Sequence, residues 1–408
     1  MFYGKKYLFF DLDGTLIDSV GVWNQVDREL ISHFGADEDE TAVQRRRDEL
    51  LRRFAGTANP YLEYCRALKD AYSVPMTAEE IIALRYTVSE KYLTQIVAYK
   101  QGVPEALREL KGRGFTLVLT TTTGRRSVNY YRTVNQNIIA AAPFDELFNK
   151  IYTREDVAKI KPDPEIFFTA MKYCGARPEE CLVFEDSLIG AEAAARAGLD
   201  VAAVHDRYSD ADREQIAARA DWYFDDFSQV SRIVKREAAA QQPDSYVLEL
   251  AGRRDVPAVF RLICARIDWM NRRGIRQWNT TDYLKYYPES YFAEHARARR
   301  LWVLRRADTR TVAAAAVLKE QDDRWSDGKP ALYIHNLVSD ERERGGGVAL
   351  VRRAAAIAQD ENLSALRLDC SRDNEPLNAW YAALGFLPAG VVSVGLYTGN
   401  KLEMKLNA

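Results

Sequence analysis

The chain has little of what marks secreted, membrane or nucleic-acid-binding proteins. Its five cysteines are scattered, without CxxC or zinc-ligand spacing, as expected of reduced thiols. No apolar run approaches membrane-spanning length, and the first residues, MFYGKKYLFFDLDGT, reach a charged motif too early for a secretory leader. The formal net charge is only −2, which argues against a nucleic-acid or anionic-membrane partner. We therefore expect a cytoplasmic protein; the sequence indicates no oligomeric state.

The composition, with 47% hydrophobic and 28% charged residues, is typical of a globular protein. Because 408 residues are more than one hydrophobic core usually holds, we expect two or three domains. The first half alternates strand-like and helix-like segments, which is typical of an α/β sheet covered by helices. The expected core strands are 7–12, 115–121, 148–152, 181–185 and 200–204. Residues 20–98 carry apolar side chains at helical spacing and predict a helical insertion that forms a cap.

A change of composition at residues 233–245 predicts the end of a helix and then a linker, since IVKREAAAQQPDS is polar and alanine-rich. From Tyr246 a strand is followed by helical stretches at 255–273 and 281–299 and by a meander of strands. A helix at 347–360, a strand, a further helix and closing strands complete the chain. The predicted domains are therefore 1–232 and 246–408.

Two carboxylates mark the end of the first predicted strand. Tyr7, Leu8, Phe9 and Phe10 are typical of a buried strand, and Asp11 and Asp13 follow it. In extended backbone, residues two apart point the same way, so the two acids share a face. Like charges at the end of a buried strand are costly without a cation or a shared proton, and this pair therefore indicates a metal-assisted site.

Three further motifs follow in order. GFTLVLTTTT at 114–123 is a strand ending in hydroxyl side chains. In KIKPDP at 159–164, Pro162 and Pro164 hold Lys161 in a rigid turn, and CLVFEDSLIG at 181–190 is an apolar strand ending in Glu185 and Asp186. Together with Asp11 and Asp13 these motifs resemble the haloacid dehalogenase-like hydrolases that have a small helical cap. The resemblance covers residues 5–230 and implies a Rossmann-like parallel sheet.

The resemblance also implies roles for these residues in phosphate ester hydrolysis. Asp11 would be the nucleophile that forms an aspartyl-phosphate, and Asp13 the general acid and base. Mg²⁺ would be held by Asp11, the Asp13 carbonyl, Asp186 and, directly or through water, Glu185. Thr121 and Lys161 would bind the phosphoryl group of a small phosphorylated metabolite, with Thr120 and Thr122 as alternatives to Thr121.

The start of the cap bears on the reaction type. Phosphohexomutases of this superfamily carry a histidine shortly after the second aspartate, whereas VGVWNQVDREL has Trp23 and no histidine before His33. This departure favours a phosphatase over a phosphomutase. The cap also holds a basic cluster, which we interpret as a solvated helix face rather than a second anion site; its members are Arg45, Arg46, Arg47, Arg52 and Arg53.

The second half contains a glycine cluster, RERGGG at 342–347, between a predicted strand and a predicted helix. Backbone N–H groups at such a position can face an anion, although the spacing fits neither a Walker loop nor a dinucleotide fingerprint. With LRLDCSRDNEPLNAWYAALGF downstream, the segment resembles GCN5-related N-acetyltransferases over residues 246–408. The resemblance implies an α+β domain with a mixed, mostly antiparallel sheet.

This second resemblance implies an acetyl-CoA site and a small amine acceptor. Arg342, Gly345, Gly346 and Gly347 would wrap the CoA pyrophosphate, and the Leu337 and Val338 backbone would pair with pantetheine. Asn374 would contact the cofactor arm and Tyr381 would protonate the departing thiolate. The candidate bases are His335 and Glu320. The sequence thus predicts a bifunctional enzyme whose two activities could serve one pathway. Two alternatives stay open. In one, the second domain binds acetyl-CoA and regulates or scaffolds the phosphatase; in the other, the first domain resembles a phosphomutase.

Overall fold

The computed structural model describes residues 1–54 and 56–406. The chain forms two compact units, Gly4–Ser231 in one and Met1–Tyr3 with Arg232–Ala408 in the other. Each unit contains one sheet, of six and of seven strands among the described residues. The predicted α/β architecture with two different sheets is confirmed.

The sheet of the first unit is parallel, with the order β3-β2-β1-β4-β5-β6. Its strands are β1 (Tyr7–Phe10), β2 (Thr116–Thr120), β3 (Lys150–Tyr152), β4 (Cys181–Glu185), β5 (Asp200–Val204) and β6 (Trp222–Phe224). In register, Phe10 lies opposite Leu119 on one side and Phe184 on the other. β1 is central, which explains its uninterrupted apolar sequence. The five predicted strands form; β6 was not predicted.

Helices cover this sheet and form the insertion. They are α1 (Val20–His33), α2 (Glu40–Phe54), α3 (Pro60–Tyr72), α4 (Ala78–Gln95), α5 (Val103–Gly112), α6 (Arg125–Thr133), α7 (Gln136–Ile139), α8 (Phe144–Leu147), α9 (Glu165–Cys174), α10 (Leu188–Arg196), α11 (Arg213–Arg219) and α12 (Phe227–Ala239). Helices α1–α4 are the predicted cap, and they pack around a small apolar cluster that includes Leu30, Tyr64 and Ile81. The cap therefore has its own core, built from the apolar faces that its sequence periodicity predicts.

The second unit has a mixed sheet; among its described strands, β10 and β11 are the one parallel pair. Its strands are β7 (Tyr246–Leu250), β8 (Leu301–Arg306), β9 (Val312–Lys319), β10 (Ala331–Ser339), β11 (Ala365–Ser371), β12 (Leu387–Val394) and β13 (Tyr397–Lys405). The order is β12-β13-β11-β10-β9-β8-β7. This is the mixed, mostly antiparallel arrangement that the second resemblance implies.

The helices of this unit are α13 (Val256–Arg273), α14 (Tyr283–Tyr286), α15 (Glu289–Arg297), α16 (Gly346–Asp360) and α17 (Glu375–Ala383). The helix predicted over 281–299 is divided into α14 and α15. Pro288 stands directly before α15, and the residue before a proline disfavours helical backbone, so the interruption falls there.

The border between the units, at Ser231 and Arg232, falls inside α12. The linker predicted at 233–245 begins within this helix, which continues to Ala239, and the predicted domain bounds stay a prediction. Among the residues that the structure describes, no helix combines the length and apolar character that crossing a bilayer requires.

Candidate active sites

The predicted acids of the first unit gather at one edge of its sheet. Asp11 follows β1, Thr121 follows β2, and Glu185 and Asp186 lie at the end of β4. These three strands are neighbours and parallel, so their carboxyl ends meet at the same edge. Asp11, Thr121, Glu185 and Asp186 are all buried there.

Lys161 connects this group. Its Nζ donates to Asp11 Oδ1 and to Glu185 Oε1, both at 2.6 Å, and to the Thr120 carbonyl at 2.9 Å. Burial alone would lower the pKa of Lys161, but the two carboxylates outweigh burial and raise it above its usual range. The lysine is therefore held as a cation, with three oxygen acceptors fixing its position.

Asp186 completes a cluster that can hold a metal. Oxygen atoms of Asp11, Glu185 and Asp186 lie within 4.8 Å of one another, and Thr15 Oγ1 donates to Asp186 Oδ1 at 2.7 Å. Burial raises the pKa of Asp186 well above its usual value, and Glu185 and Asp11 add to the shift. Three buried carboxylates with one lysine leave negative charge uncompensated, and such hard oxygen donors fit Mg²⁺.

Gly14 permits this close packing. Its φ is +81°, in the left-handed region, and a Cβ at this position would lie 2.4 Å from Asp186 Oδ2. A side chain there would both strain the backbone and displace the acid. The glycine after Asp13 is thus required by the site as well as by the turn.

Asp13 lies outside the carboxylate triad and is held by hydroxyl groups. Ser19 Oγ donates to its Oδ1 and Thr123 Oγ1 to its Oδ2. Burial raises the pKa of Asp13, and hydrogen bonds from Ser19, Thr123 and the Trp23 side chain oppose that shift. Trp23, from the stretch of the cap that holds no histidine, therefore contacts the second aspartate.

The threonines at the end of β2 and directly after it differ in their contacts. Thr120 Oγ1 donates to the Phe10 carbonyl at 3.2 Å, inside the sheet, whereas Thr121 Oγ1 accepts from the Thr123 backbone N–H at 3.0 Å. The Thr120 hydroxyl is therefore used in a hydrogen bond within the sheet. Thr121, the next residue, is also buried. Thr121 remains the predicted phosphoryl ligand.

Lys100 is a residue of this region that sequence reasoning missed. Its Nζ donates to the Gly14 and His205 carbonyls and to Asp206 Oδ2, the last two at 2.8 and 2.9 Å. It ties the loop after β1 to the loop after β5. It lies in no motif, and its partners are more than 80 residues away in the chain, so no sequence spacing could have indicated it.

The cap cluster is not uniformly solvated. Arg45, Arg52 and Arg53 are exposed, but Arg47 is buried, with 7% of its surface accessible. For Arg47 the interpretation as a solvated helix face is therefore wrong. Its position on α2 turns it inward, toward α1 and Asp27, whose Oδ2 lies 3.8 Å from Arg47 Nη1.

The second unit contains a cavity of about 800 Å³. Among the predicted residues, those that line it are His335, Leu337, Val338, Gly345, Gly347, Asn374 and Tyr381. Arg344, which sequence reasoning did not select, also lines the cavity. Arg342 is 85% exposed and pairs with Asp340 at 2.8 Å, and neither Arg342 nor Gly346 is a lining residue.

A bulge in β10 opens the cavity. The ladder between β10 and β9 is interrupted between His335 and Val338, and Asn336 has a φ of +53°. The ladder between β10 and β11 covers only Ala331–Tyr333. The Leu337 and Val338 backbone thus lies where β10 has parted from β11, which leaves room for an extended ligand to pair with it.

The glycine loop ends at the N-terminus of α16. Gly345 caps the helix with a φ of +92°, and the helix begins at Gly346. The first N–H groups of a helix have no partner within it and carry partial positive charge, so this end suits an anion. A Cβ on Gly347 would meet the Trp380 ring at 3.5 Å.

The two remaining predicted residues, Asn374 and Tyr381, differ in their contacts and burial. Asn374 caps α17 by accepting from Leu377 N at 3.1 Å, and its Nδ2 donates to Gln277 at 2.8 Å. Tyr381 is buried, its ring packs on Trp380 and Phe386, and burial raises its pKa. The Tyr381 phenol therefore keeps its proton at neutral pH.

The two candidate bases are separated by the fold. His335 lines the cavity, with Nε2 3.1 Å from Asp322 Oδ2. Glu320 pairs with Arg232 at 2.8 Å and Arg236 at 2.9 Å and does not line the cavity. Of the two, only His335 is in a position to meet a ligand there.

Comparison with known proteins matches a different family to each unit. Residues 5–198 match the haloacid dehalogenase-like hydrolase family and residues 267–386 the acetyltransferase (GNAT) family. Protein CbbY from Rhodobacter capsulatus is 31% identical over 231 residues, 55% of this chain and 94% of the relative. The phosphorylated carbohydrates phosphatase of Thermotoga maritima is 26% identical over 193 residues, 47% and 82% of the two chains.

Among solved structures, CbbY from Rhodobacter sphaeroides in complex with phosphate matches with a TM-score of 0.46 and 23% identity, over 55% of this chain and 96% of that one. The first-unit motifs, the parallel sheet and the relatives agree with one another, as do the glycine loop, the mixed sheet and the second family match. The chain belongs to the haloacid dehalogenase-like hydrolase family and carries a GNAT acetyltransferase domain in its second unit, so it combines a phosphatase with an acetyltransferase.

Proposed function

We propose that the first unit is a Mg²⁺-dependent phosphomonoesterase that works through an aspartyl-phosphate, in the cytoplasm. The observation that carries the proposal is the buried group of Asp11, Lys161, Glu185 and Asp186. Phosphate esters are anionic and repel a carboxylate nucleophile, so hydrolysis needs positive charge around the transferring group. Lys161 supplies one such charge beside Asp11.

In this proposal the Asp11 carboxylate attacks phosphorus and the ester oxygen leaves with a proton from Asp13. Water then attacks the aspartyl-phosphate, Asp13 takes its proton, and phosphate departs. The raised pKa of Asp13 suits a group that must donate and then accept. Thr121 and Lys161 would hold the phosphoryl oxygens.

Asp11, the Asp13 carbonyl, Asp186 and, directly or through water, Glu185 would hold the metal. Bound Mg²⁺ compensates the acids and withdraws charge from a phosphoryl oxygen. A small phosphorylated metabolite is the proposed substrate; the relative from Thermotoga maritima, which is named for phosphorylated carbohydrates, supports a sugar phosphate. Trp23 in place of a histidine favours hydrolysis over transfer to a second sugar hydroxyl.

We propose that the second unit transfers an acetyl group from acetyl-CoA to a small amine. Three features support binding of an extended, anionic thioester. They are the stretch of β10 beyond its ladder with β11, the loop of Gly345 and Gly347, and the cavity of about 800 Å³. The amine attacks the thioester carbonyl, His335 accepts the amine proton directly or through water, and Tyr381 donates a proton to the thiolate.

The two activities together suggest one pathway whose intermediate carries a phosphate ester and an amine. The test is a phosphate-release screen over sugar, nucleotide and amino-acid phosphates with Mg²⁺. Each hit is then assayed as its dephosphorylated product with acetyl-CoA. Hits that overlap support the shared pathway, and acceptors with no overlap in either direction contradict it. Acetyl-CoA that changes phosphate release without being consumed would favour a regulatory second unit instead.

A further inference from the structure

Aromatic rings line one part of the cavity in the second unit. Trp278, Tyr283 and Tyr287, which we call the aromatic wall, follow α13 and precede α15. The centroids of the Trp278 and Tyr283 rings are 4.5 Å apart in a stacked arrangement, and those of Tyr283 and Tyr287 are 4.6 Å apart. Trp278 and Tyr287 remain partly exposed, so a ligand in the cavity can reach the wall.

The aromatic wall is attached to the bulge of β10. Asn336 Nδ2 donates to the Tyr283 hydroxyl at 2.6 Å, and the Tyr291 hydroxyl donates to Asn336 Oδ1 at 3.0 Å. In the chain, Asn336 stands between His335, the proposed base, and Leu337, whose backbone would pair with pantetheine. An acceptor that presents its amine to His335 can therefore rest its other atoms against the aromatic wall.

A second structure stands across the gap from His335. The ladder between β10 and β11 ends where Tyr333 lies beside Arg367, so two residues further along the strands His335 and Asp369 occupy corresponding positions. Asp369 Oδ2 accepts a hydrogen bond from the Tyr397 hydroxyl at 2.6 Å. Because Tyr397 is the first residue of β13, this bond holds the turn between β12 and β13 at the gap.

That turn, residues 394–396, is apolar and exposed, and we call it the apolar turn. Val394 and Leu396 line the cavity, although 58% and 80% of their surfaces are accessible. Exposed apolar side chains gain free energy when a ligand covers them. Asp369 also accepts from Arg324 Nη1, so the two charges compensate each other. The surroundings of the turn therefore favour an apolar body over an ionic or polyhydroxylated one.

We propose that the acetyl acceptor is a primary amine with a flat aromatic body, which lies between the aromatic wall and the apolar turn. The inference rests on the proposed acetyl transfer and concerns the second unit alone. A flat ring adds stacking contacts with the wall to the burial of apolar surface. The amine nitrogen bonds to the thioester carbon, the C–S bond breaks, and the amine proton passes to His335, which yields an N-substituted acetamide and free CoA thiol.

The test measures thiol release from acetyl-CoA by the full-length enzyme with three amines. 2-Phenylethylamine is the aromatic acceptor, 2-cyclohexylethylamine has the same carbon skeleton without the flat ring, and glucosamine carries hydroxyl groups instead. The variants are Leu396→Ser and Trp278→Leu, with Trp278→Phe as the conservative replacement. The control is Val391→Ser, at an exposed position of β12 outside the cavity lining.

We expect kcat/KM for 2-phenylethylamine to exceed that for 2-cyclohexylethylamine by about 3- to 10-fold and that for glucosamine by about 10- to 100-fold. Leu396→Ser and Trp278→Leu should each raise the KM for 2-phenylethylamine by about 3- to 10-fold, with partial recovery in Trp278→Phe. The KM for acetyl-CoA should stay unchanged, as should both constants in Val391→Ser. Because Leu396 is exposed, Leu396→Ser should keep the wild-type melting temperature and tests the inference even if Trp278→Leu fails to fold.

A kcat/KM for glucosamine that equals or exceeds that for 2-phenylethylamine overturns the inference. So does an equal preference for the cyclohexyl and phenyl amines, or a Leu396→Ser variant with the wild-type KM for 2-phenylethylamine. No thiol release with any of these amines, nor with the dephosphorylated products of the phosphate screen, would instead overturn the proposed acetyl transfer on which the inference rests.

Discussion

Lys161 and Asp11 form a buried ion pair, with Nζ 2.6 Å from Oδ1, although 150 positions separate them in the chain. The same Nζ lies 2.6 Å from Glu185 Oε1. One cation therefore holds the proposed nucleophile and one proposed metal ligand at once. The position of Asp11 depends on three separate segments of the first unit.

Asp11→Asn should reduce phosphate release to background, because an amide cannot form the aspartyl-phosphate. Acetyl transfer by the second unit should be unchanged. Both activities are measured on one preparation, with release of phosphate and of free thiol as the readouts. The exposed Asp18→Asn, seven residues along, is the matched control. Full hydrolysis by Asp11→Asn would contradict the assigned role.

Lys161→Met should destabilise the protein by about 3–5 kcal/mol, because removing one partner of a buried pair leaves the carboxylates uncompensated. Denaturant unfolding in the presence of a chelator measures this change. Lys159→Met, an exposed substitution two residues earlier, should have little effect. Equal stability of the two variants would show that the ion pair does not hold the site together.

Mg²⁺ should raise the melting temperature of the wild-type protein, because it binds the folded carboxylate cluster and not the unfolded chain. Asp186→Asn should shrink that rise, since it removes one of the clustered oxygen ligands. Calorimetric titration with MgCl₂ after chelator treatment gives the affinity directly. A rise that survives in Asp186→Asn would assign the metal to another site.

The contribution of Asp11 to stability without metal should fall as pH increases from about 4 to about 7. Burial raises the pKa of Asp11, Lys161 opposes and Glu185 adds to the shift, and the resulting value is about 7. A carboxyl group whose pKa is higher in the folded protein than in the unfolded chain stabilises the folded state fully at pH values below its unfolded pKa, near 4. This stabilisation is lost as the pH rises toward the folded pKa. Denaturation in chelator at several pH values measures the slope.

Asp11→Asn should flatten this slope, because it removes the titrating group, and Asp18→Asn should leave it unchanged. Saturating Mg²⁺ should also flatten it, since the metal favours the ionised acids. An identical slope in wild type and Asp11→Asn would exclude Asp11 as its source.

Tyr381→Phe should lower kcat for acetyl transfer by about 10²- to 10⁴-fold, the usual contribution of a positioned proton donor. The KM for acetyl-CoA should change little, because the ring and its packing on Phe386 remain. Thiol release under saturating acceptor measures both constants. Tyr286→Phe, at an exposed position of the same cavity, is the control. A change confined to KM would make Tyr381 a packing residue.

Three of the four motifs of the first unit, those of Asp11, Thr121 and Glu185, lie at the ends of apolar strands, and parallel strands bring their ends to one edge. The resemblance to the haloacid dehalogenase-like hydrolases grouped Asp11, Glu185 and Asp186 in one predicted site, and the structure brings their oxygen atoms within 4.8 Å of one another. Sequence reasoning could not find Lys100, whose partners are remote in sequence. Nor could it predict that Arg47 is buried while Arg45 and Arg53 are exposed. Helical periodicity shows which residues share a face of a helix, but not which element packs against that face.

In the second unit, local patterns predicted the strands, the glycine loop and the helix after it. They left both His335 and Glu320 as candidate bases, since both lie on the predicted strands that precede the glycine loop. The tertiary structure separates them, because the register of β9 and β10 turns His335 to the cavity and leaves Glu320 with two arginines.

The sequence by itself determined which side chains this protein brings to two chemistries, because strand ends, glycine turns and apolar periodicity are local. Only the tertiary structure decided which of them meet. Lys161 contacts both Asp11 and Glu185 because β1 and β4 are neighbours in the sheet. Within the part of the chain that the structure describes, Arg47 is buried without a hydrogen bond at Nη1 because of how the cap helices pack. Burial and pairing are properties of contacts between distant segments, and no local spacing encodes them.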